Sequence, residues 1–222
     1  MIPISDDNPT RQTPIVTWSI IALCVGVFLW ELSFDEQQFE AMIRSLGFTP
    51  RDFFGRGGGG EWLTILTSMF LHGGLMHLGG NMLYLWIFGN NVEDAMGHAR
   101  YLIFYLVCGT AAALGQAIAE PGTTIPMVGA SGAISGVLGA YILLHPKRRV
   151  TVILFRFLTD VPAYVAIGIW FAFQLISGLG MLGGGSQSGG VAYAAHIGGF
   201  LAGLILIKFF DRGPRSPREP AY

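Results

Sequence analysis

The sequence predicts an all-α membrane protein, a bundle of six spanning helices with a short fourth helix and a first outer loop embedded in the membrane. Three observations predict it. Of the 222 residues, 52% are hydrophobic and only 12% are charged, against roughly a quarter charged in an ordinary soluble domain. The apolar residues fall in long uncharged runs rather than recurring on one face, which is the pattern of segments that meet lipid all round. Prolines and glycines cut these runs at bilayer length.

Residues 1–13 carry Asp6, Asp7 and two prolines where a cleaved signal peptide would be basic, so they are expected as a short cytoplasmic segment. The first span lies between Arg11 and Glu31, and the third between Arg100 and Glu120, each near the ~20 residues that cross a bilayer. The run from Trp62 to Val92 is too long for one crossing at about 1.5 Å per residue. Gly73-Gly74 breaks it, leaving Glu61 to His72 as an embedded or interfacial loop and a second span from about Leu75 to Val92.

The fourth helix is the informative one. Pro121, Gly122, Pro126 and Gly129 oppose helix before Ser131 and Pro146 stops it afterwards, so its length is about 14 residues, or roughly 21 Å. A helix that short begins below the membrane surface, after an irregular segment, Glu120 to Ala130, which is tolerated at such depth only when protein surrounds it or it lines a wet cavity. Between Val161 and Ile207 there is no charge; the glycine-rich stretch Gly183 to Gly190 divides this run into a fifth span, Val161 to Leu182, and a sixth, Val191 to Ile207. Residues 14–210 are thus one helical domain, and 211–222 a disordered cytoplasmic tail.

An even number of spans puts both termini on one side. With the termini inside, Arg11, Arg100, Lys147 to Arg149, Arg156 and the basic residues from Lys208 onward are inside, against Arg44, Arg51 and Arg56 outside. Both termini are expected in the cytoplasm of a bacterial-type plasma membrane, with the start of the fourth helix opening outward.

Composition also excludes classes of function. A net charge of -1 offers nothing to nucleic acid. Cys24 and Cys108 each lie inside an apolar run and read as packing residues, not as a disulfide framework or paired zinc thiolates. Five histidines occur, but His-Glu-x-x-His does not, so no metal and no cofactor is expected. The Gly57 to Gly60 run lacks the Lys-Ser or Lys-Thr of a phosphate loop. A channel or transporter would show internal repeats and an acidic residue in the bundle, and neither is evident.

Polar groups inside a membrane bundle are functional candidates. In Gly129-Ala130-Ser131-Gly132 a serine opens the short helix, where unpaired N–H groups and the positive end of the helix dipole favour a developing oxyanion. Ser is also a common N-cap, and Gly132 with Gly136 is a small-residue packing pair, so the motif alone reads as packing. His196 is the strongly polar residue of the sixth span, on a stripe with Ala192, Gly199 and Gly203. That stripe suits close approach to the Gly132, Gly136 and Gly139 stripe of the fourth helix, which would bring the imidazole toward Ser131. His77 and Asn81, one turn apart, are hydrogen-bond donors fit for an oxyanion hole or for an interhelical clamp. His72, just before the Gly73-Gly74 break, reads as a loop-stabilising residue.

Taken together, these residues resemble the rhomboid family of intramembrane serine proteases. The resemblance rests on His72, His77 and Asn81 as His-x4-His-x3-Asn, on Gly129 to Gly132, on His196 followed by Gly199 and Gly203, and on Glu93 with Gly97 after the second span. It implies a rhomboid-like fold in which Ser131 is the nucleophile, His196 the base, and His77, Asn81 and the Ser131 backbone N–H the oxyanion hole. It implies substrates that are transmembrane proteins in the lipid bilayer, cut in or near their spans. Two departures stand out: Trp62 is followed by Leu63-Thr64 where many relatives have Arg, and Ser135 stands where many place an aromatic that stacks on the histidine. With no acid in the fourth or sixth span, the chemistry is expected from a dyad whose base is oriented by packing. The Gly183 to Gly190 loop and the fifth span, with Trp170, Phe171 and Phe173, are candidates for a lid and side door.

Overall fold

The computed structural model describes residues 1–55, 61–182, 191–211 and 213, and they are mostly helical. In chain order they form β1 (Ile2–Asp6), α1 (Ile15–Glu31), α2 (Glu36–Leu46), α3 (Pro50–Gly55), α4 (Glu61–Ser68), α5 (Leu75–Met96), α6 (His98–Ala119), α7 (Ser131–Leu144), β2 (Arg149–Leu154), β3 (Phe157–Pro162), α8 (Ala163–Leu182) and α9 (Tyr193–Phe210). The expected spans correspond to α1, α5, α6, α7, α8 and α9. Among the described residues, α6 and α9 are long and apolar enough to cross a membrane, while Ile15–Glu31, Ser131–Leu144 and Ala163–Leu179 are shorter apolar helices. Large apolar side chains remain exposed on the outer faces, among them Leu29, Leu75, Ile118, Ile176 and Ile205, as in helices surrounded by lipid.

The centre of the bundle is α7. It has 14 residues, buried from Gly132 through Tyr141, and packs against α5, α6 and α9. Small residues make this possible. A Cβ on Gly199 would collide with the Gly132 carbonyl oxygen, one on Gly203 with that of Gly136, and one on Gly139 with that of Phe200. The glycine stripes of α7 and α9 therefore meet backbone to backbone, as in close-packed membrane helices.

Carboxylates latch both ends of α1, one to α5 and the other to the segment before it. Glu93 accepts from Val16 N at 2.9 Å, Thr17 N at 2.8 Å and Thr17 Oγ1 at 2.7 Å, so it satisfies N–H groups that the first turn of α1 leaves open. At the other end, Glu31 accepts from His72 N at 3.0 Å. Gly97, at φ 75°, makes the left-handed link from α5 to α6 that favours glycine.

Three local features differ from the sequence expectation. Glu61 to His72 is not loop throughout, because α4 occupies Glu61–Ser68. The region before it also carries helices: Asp35 and Gln38 form a capping box that starts α2, with Gln38 N to Asp35 Oδ1 at 2.9 Å and Asp35 N to Gln38 Oε1 at 3.1 Å. Finally, a three-stranded antiparallel sheet, in the order β1-β2-β3, joins the first residues to those after α7. Val161, expected to open the fifth span, is in β3, and helix begins at Ala163. The Tyr141 hydroxyl donates to Asp6 at 2.6 Å, tying this sheet to α7. Burial raises the Asp6 carboxyl above its ordinary range, an effect that the Tyr141 bond partly offsets. The expected Gly57 to Gly60 spacer, the Gly183 to Gly190 loop and nearly all of the 211–222 tail lie outside the described residues.

Candidate active site

The segment leading into α7 has no helix or strand of its own, and the preceding region holds it by backbone bonds. Phe48 and Met127 exchange both bonds, at 3.0 and 2.7 Å, Arg51 N donates to Thr123 O at 3.1 Å, and Gly129 N donates to Ser68 O at 2.8 Å. The irregular backbone is thereby held against protein. Where the Trp-Arg pair is missing, Trp62 instead packs edge-on against Phe53, with ring centroids 4.9 Å apart. Gly129 sits at φ 119°, a conformation side chains rarely adopt, and a Cβ there would strike the His77 ring.

Ser131 is the first residue of α7. The first helical bond runs from Ile134 N to Ala130 O at 3.0 Å, so the N–H groups of Ser131 to Ala133 lie outside the helical ladder and face the end of the helix. The Ser131 Oγ is 2.8 Å from His196 Nε2. His196 lies in the first turn of α9, whose start is held by Gln116, the Oε1 of which accepts from Ala195 N at 3.1 Å. The glycine contacts between α7 and α9 set the distance between serine and imidazole.

His77 and Asn81 rise from the first turns of α5 and face the same cavity as Ser131 and His196. This cavity has a volume of about 670 Å³. The Asn81 side chain is 7% exposed, and its Nδ2 is a buried donor with no protein partner among the described residues. Such a donor is costly unless something occupies the space before it. His72 is fully buried, its Nδ1 3.1 Å from the Phe70 carbonyl, and it meets His77 edge to face at 5.3 Å between centroids. It does not line the cavity. Gly129 and Gly132 line the cavity beside Ser131, whereas Glu93, Gly97, Gly199 and Gly203 do not, the last two forming contacts between α9 and α7.

Two residues of α8 touch the histidine: Gln174, passed over in the sequence, and Trp170, read there as part of a side door. Gln174 of α8 places Oε1 2.8 Å from His196 Nδ1, and Trp170, one turn earlier, lies over the ring at 5.9 Å and 38°. Ser135 does not replace an aromatic partner; its hydroxyl bonds back to the Ser131 carbonyl at 2.7 Å. The signal for Gln174 was available, since a carboxamide inside an uncharged span is itself an intramembrane polar group.

A serine bonded to a histidine in a cavity, with the buried Asn81 amide lining the same cavity and a helix N-terminus behind it, is an arrangement that can perform acyl transfer. The family model for the Rhomboid domain matches residues 59–212, and the chain belongs to the rhomboid family. It is 32% identical over 193 residues to the rhomboid protease GluP of Bacillus subtilis (strain 168), covering 86% of this chain and 34% of that protein. To the mitochondrial Rhomboid protein 1 of Saccharomyces cerevisiae it is 30% identical, over 71% of this chain and 44% of the relative. To the chloroplastic Rhomboid-like protein 11 of Arabidopsis thaliana it is 26% identical, over 96% and 71% respectively. The chain thus spans less than half the length of the first two relatives. It is an integral membrane protein.

Proposed function

We propose that the chain is an intramembrane serine endopeptidase that hydrolyses peptide bonds in or near the transmembrane segments of other membrane proteins. The observation that carries this reading is the 2.8 Å contact between Ser131 Oγ and His196 Nε2 inside a cavity. His196 takes the hydroxyl proton as Ser131 Oγ attacks the scissile carbonyl carbon. His77, the Asn81 amide and the Ser131 backbone N–H donate to the resulting oxyanion. Collapse breaks the C–N bond, the amine leaves with the proton from His196, and an acyl ester remains on Ser131. Water, deprotonated by His196, attacks that ester, and the proton returns to Ser131 as the acid product leaves.

In this reading α1, α5, α6, α7, α8 and α9 are six spans, with α7 reaching only part of the way. Both termini are cytoplasmic and the site opens outward, as the distribution of Lys and Arg argues. Residues 14–210 are the protease domain. Detergent-solubilised protein treated with a fluorophosphonate probe should be labelled at Ser131, and labelling should vanish in Ser131→Ala. Cleavage of a reporter single-span protein by Ser131→Ala at the wild-type rate would overturn the assignment.

A further inference from the structure

We propose that Gln174 is a positioning residue that fixes the tautomer and orientation of His196, so that helix α8 completes the base. The proposal rests on the serine–histidine reading above. A neutral imidazole carries one N–H donor and one bare acceptor nitrogen. For Ser131 to lose its proton to His196, the bare nitrogen has to be Nε2, and Nδ1 has to carry the hydrogen. The Gln174 Oε1, 2.8 Å from Nδ1, is an acceptor that can bond only that tautomer. With the carboxamide turned the other way, its NH2 would donate to Nδ1, Nε2 would hold the hydrogen, and Ser131 would have no base.

The surroundings support the productive arrangement. Gln174 is 6% exposed and is the only carboxamide in α8. Its Oε1 reaches the histidine, and among the described residues no side chain of α5, α7 or α9 bonds Nδ1. Trp170 limits tilting of the ring from its face while Gln174 fixes its edge. Both residues sit on one stripe of α8, one turn apart. The ring-holding role that an aromatic on α7 would serve has thus moved to another helix.

The experiment uses the full chain in proteoliposomes with ¹⁵N-labelled histidine, the His196 signals being assigned by their loss in His196→Ala. Wild-type His196 should show a protonated Nδ1 and a bare Nε2. Gln174→Met, near in shape but without an acceptor, should show mixed tautomers and a turnover lowered about tenfold to hundredfold with KM unchanged, the scale of one buried hydrogen bond. Gln174→Glu keeps an acceptor oxygen and should retain the Nδ1–H tautomer and recover turnover relative to Gln174→Met. A wild-type spectrum with Nε2 protonated, or a Gln174→Met protein with unaltered tautomer and turnover, would overturn the proposal. Should Gln174→Met fail to fold, the wild-type and Gln174→Glu spectra still decide it. Ser131→Ala is run alongside: if it cleaves normally the protease reading fails, while the histidine spectrum still reports on Gln174.

Discussion

The α-carbon of Gly203 lies against the carbonyl oxygen of Gly136 with no space for a methyl group between them, and Gly199 stands in the same relation to Gly132. The two contacts set how near α9 comes to α7. Gly203→Ala and Gly199→Ala should push the helices apart, costing about 1–3 kcal/mol of overpacking and lowering cleavage by stretching the Ser131–His196 bond. Gly26→Ala is the control, since nothing lies within 4 Å of the added Cβ. Thermal melting and reporter cleavage measure both effects; a Gly203→Ala protein that melts and cleaves like wild type would contradict the packing.

Ser131 and His196 should behave as one unit. Ser131→Ala, His196→Ala and the double variant are expected to lose nearly all cleavage, with the double no worse than either single, because groups acting together are strongly non-additive. Turnover of a reporter substrate in matched proteoliposomes checks this. Additive losses would show that the two side chains act in separate steps.

Oxyanion donors should be graded instead. Removal of one such donor typically lowers turnover by about 10²–10³, so Asn81→Ala and His77→Ala should retain measurable cleavage above the Ser131→Ala background. Single-turnover kinetics would separate this from weaker binding. Wild-type turnover in Asn81→Ala would remove the Nδ2 group from the mechanism.

The burial of the Asp6 carboxyl predicts a pH effect on stability. Burial raises the folded Asp6 carboxyl above its unfolded value, so the folded state holds this proton to higher pH. The stabilisation linked to it is full below the unfolded range, about pH 4, and is lost as pH rises through the folded value. Wild type should therefore compare best with Asp6→Asn near pH 4 and lose ground toward neutrality. Melting temperatures of both proteins from pH 4 to 8 test it, and a constant difference would show that Asp6 does not titrate differently on folding.

Much of this architecture was legible in the order of the residues. Pro126, Gly129 and Pro146 bracket α7 because proline and glycine oppose helix for local reasons, and the small residues of α7 and α9 leave a repeat visible without coordinates. The sheet was harder to see. Arg149 to Leu154 contains the β-branched run Val150, Thr151, Val152 and Ile153, yet beside Lys147 and Arg148 it read as a basic loop, and its partner Ile2–Asp6 is more than 140 residues away in the chain. Pairing at that separation is set by tertiary context. Gln174 was passed over for another reason: with Trp170, Phe171 and Phe173 its span read as a candidate side door, and only the approach of α8 to α9 gives the carboxamide an imidazole to meet.

The latches on α1 have a consequence for the surrounding lipid. Helix α1 has 17 residues, about 25 Å at 1.5 Å per residue, against a hydrocarbon layer of about 30 Å. In the six-span reading proposed above α1 is a short span, and a thicker bilayer strains such a span, which then thins the lipid around it or shifts. Here neither end of α1 slides freely, since Glu93 holds one and the Glu31 bond to His72 the other. His72 in turn abuts His77. On that reading, tension from hydrophobic mismatch has a mechanical route from the acyl chains to the His77 ring beside the cavity of Ser131, making bilayer thickness a physical variable of the site.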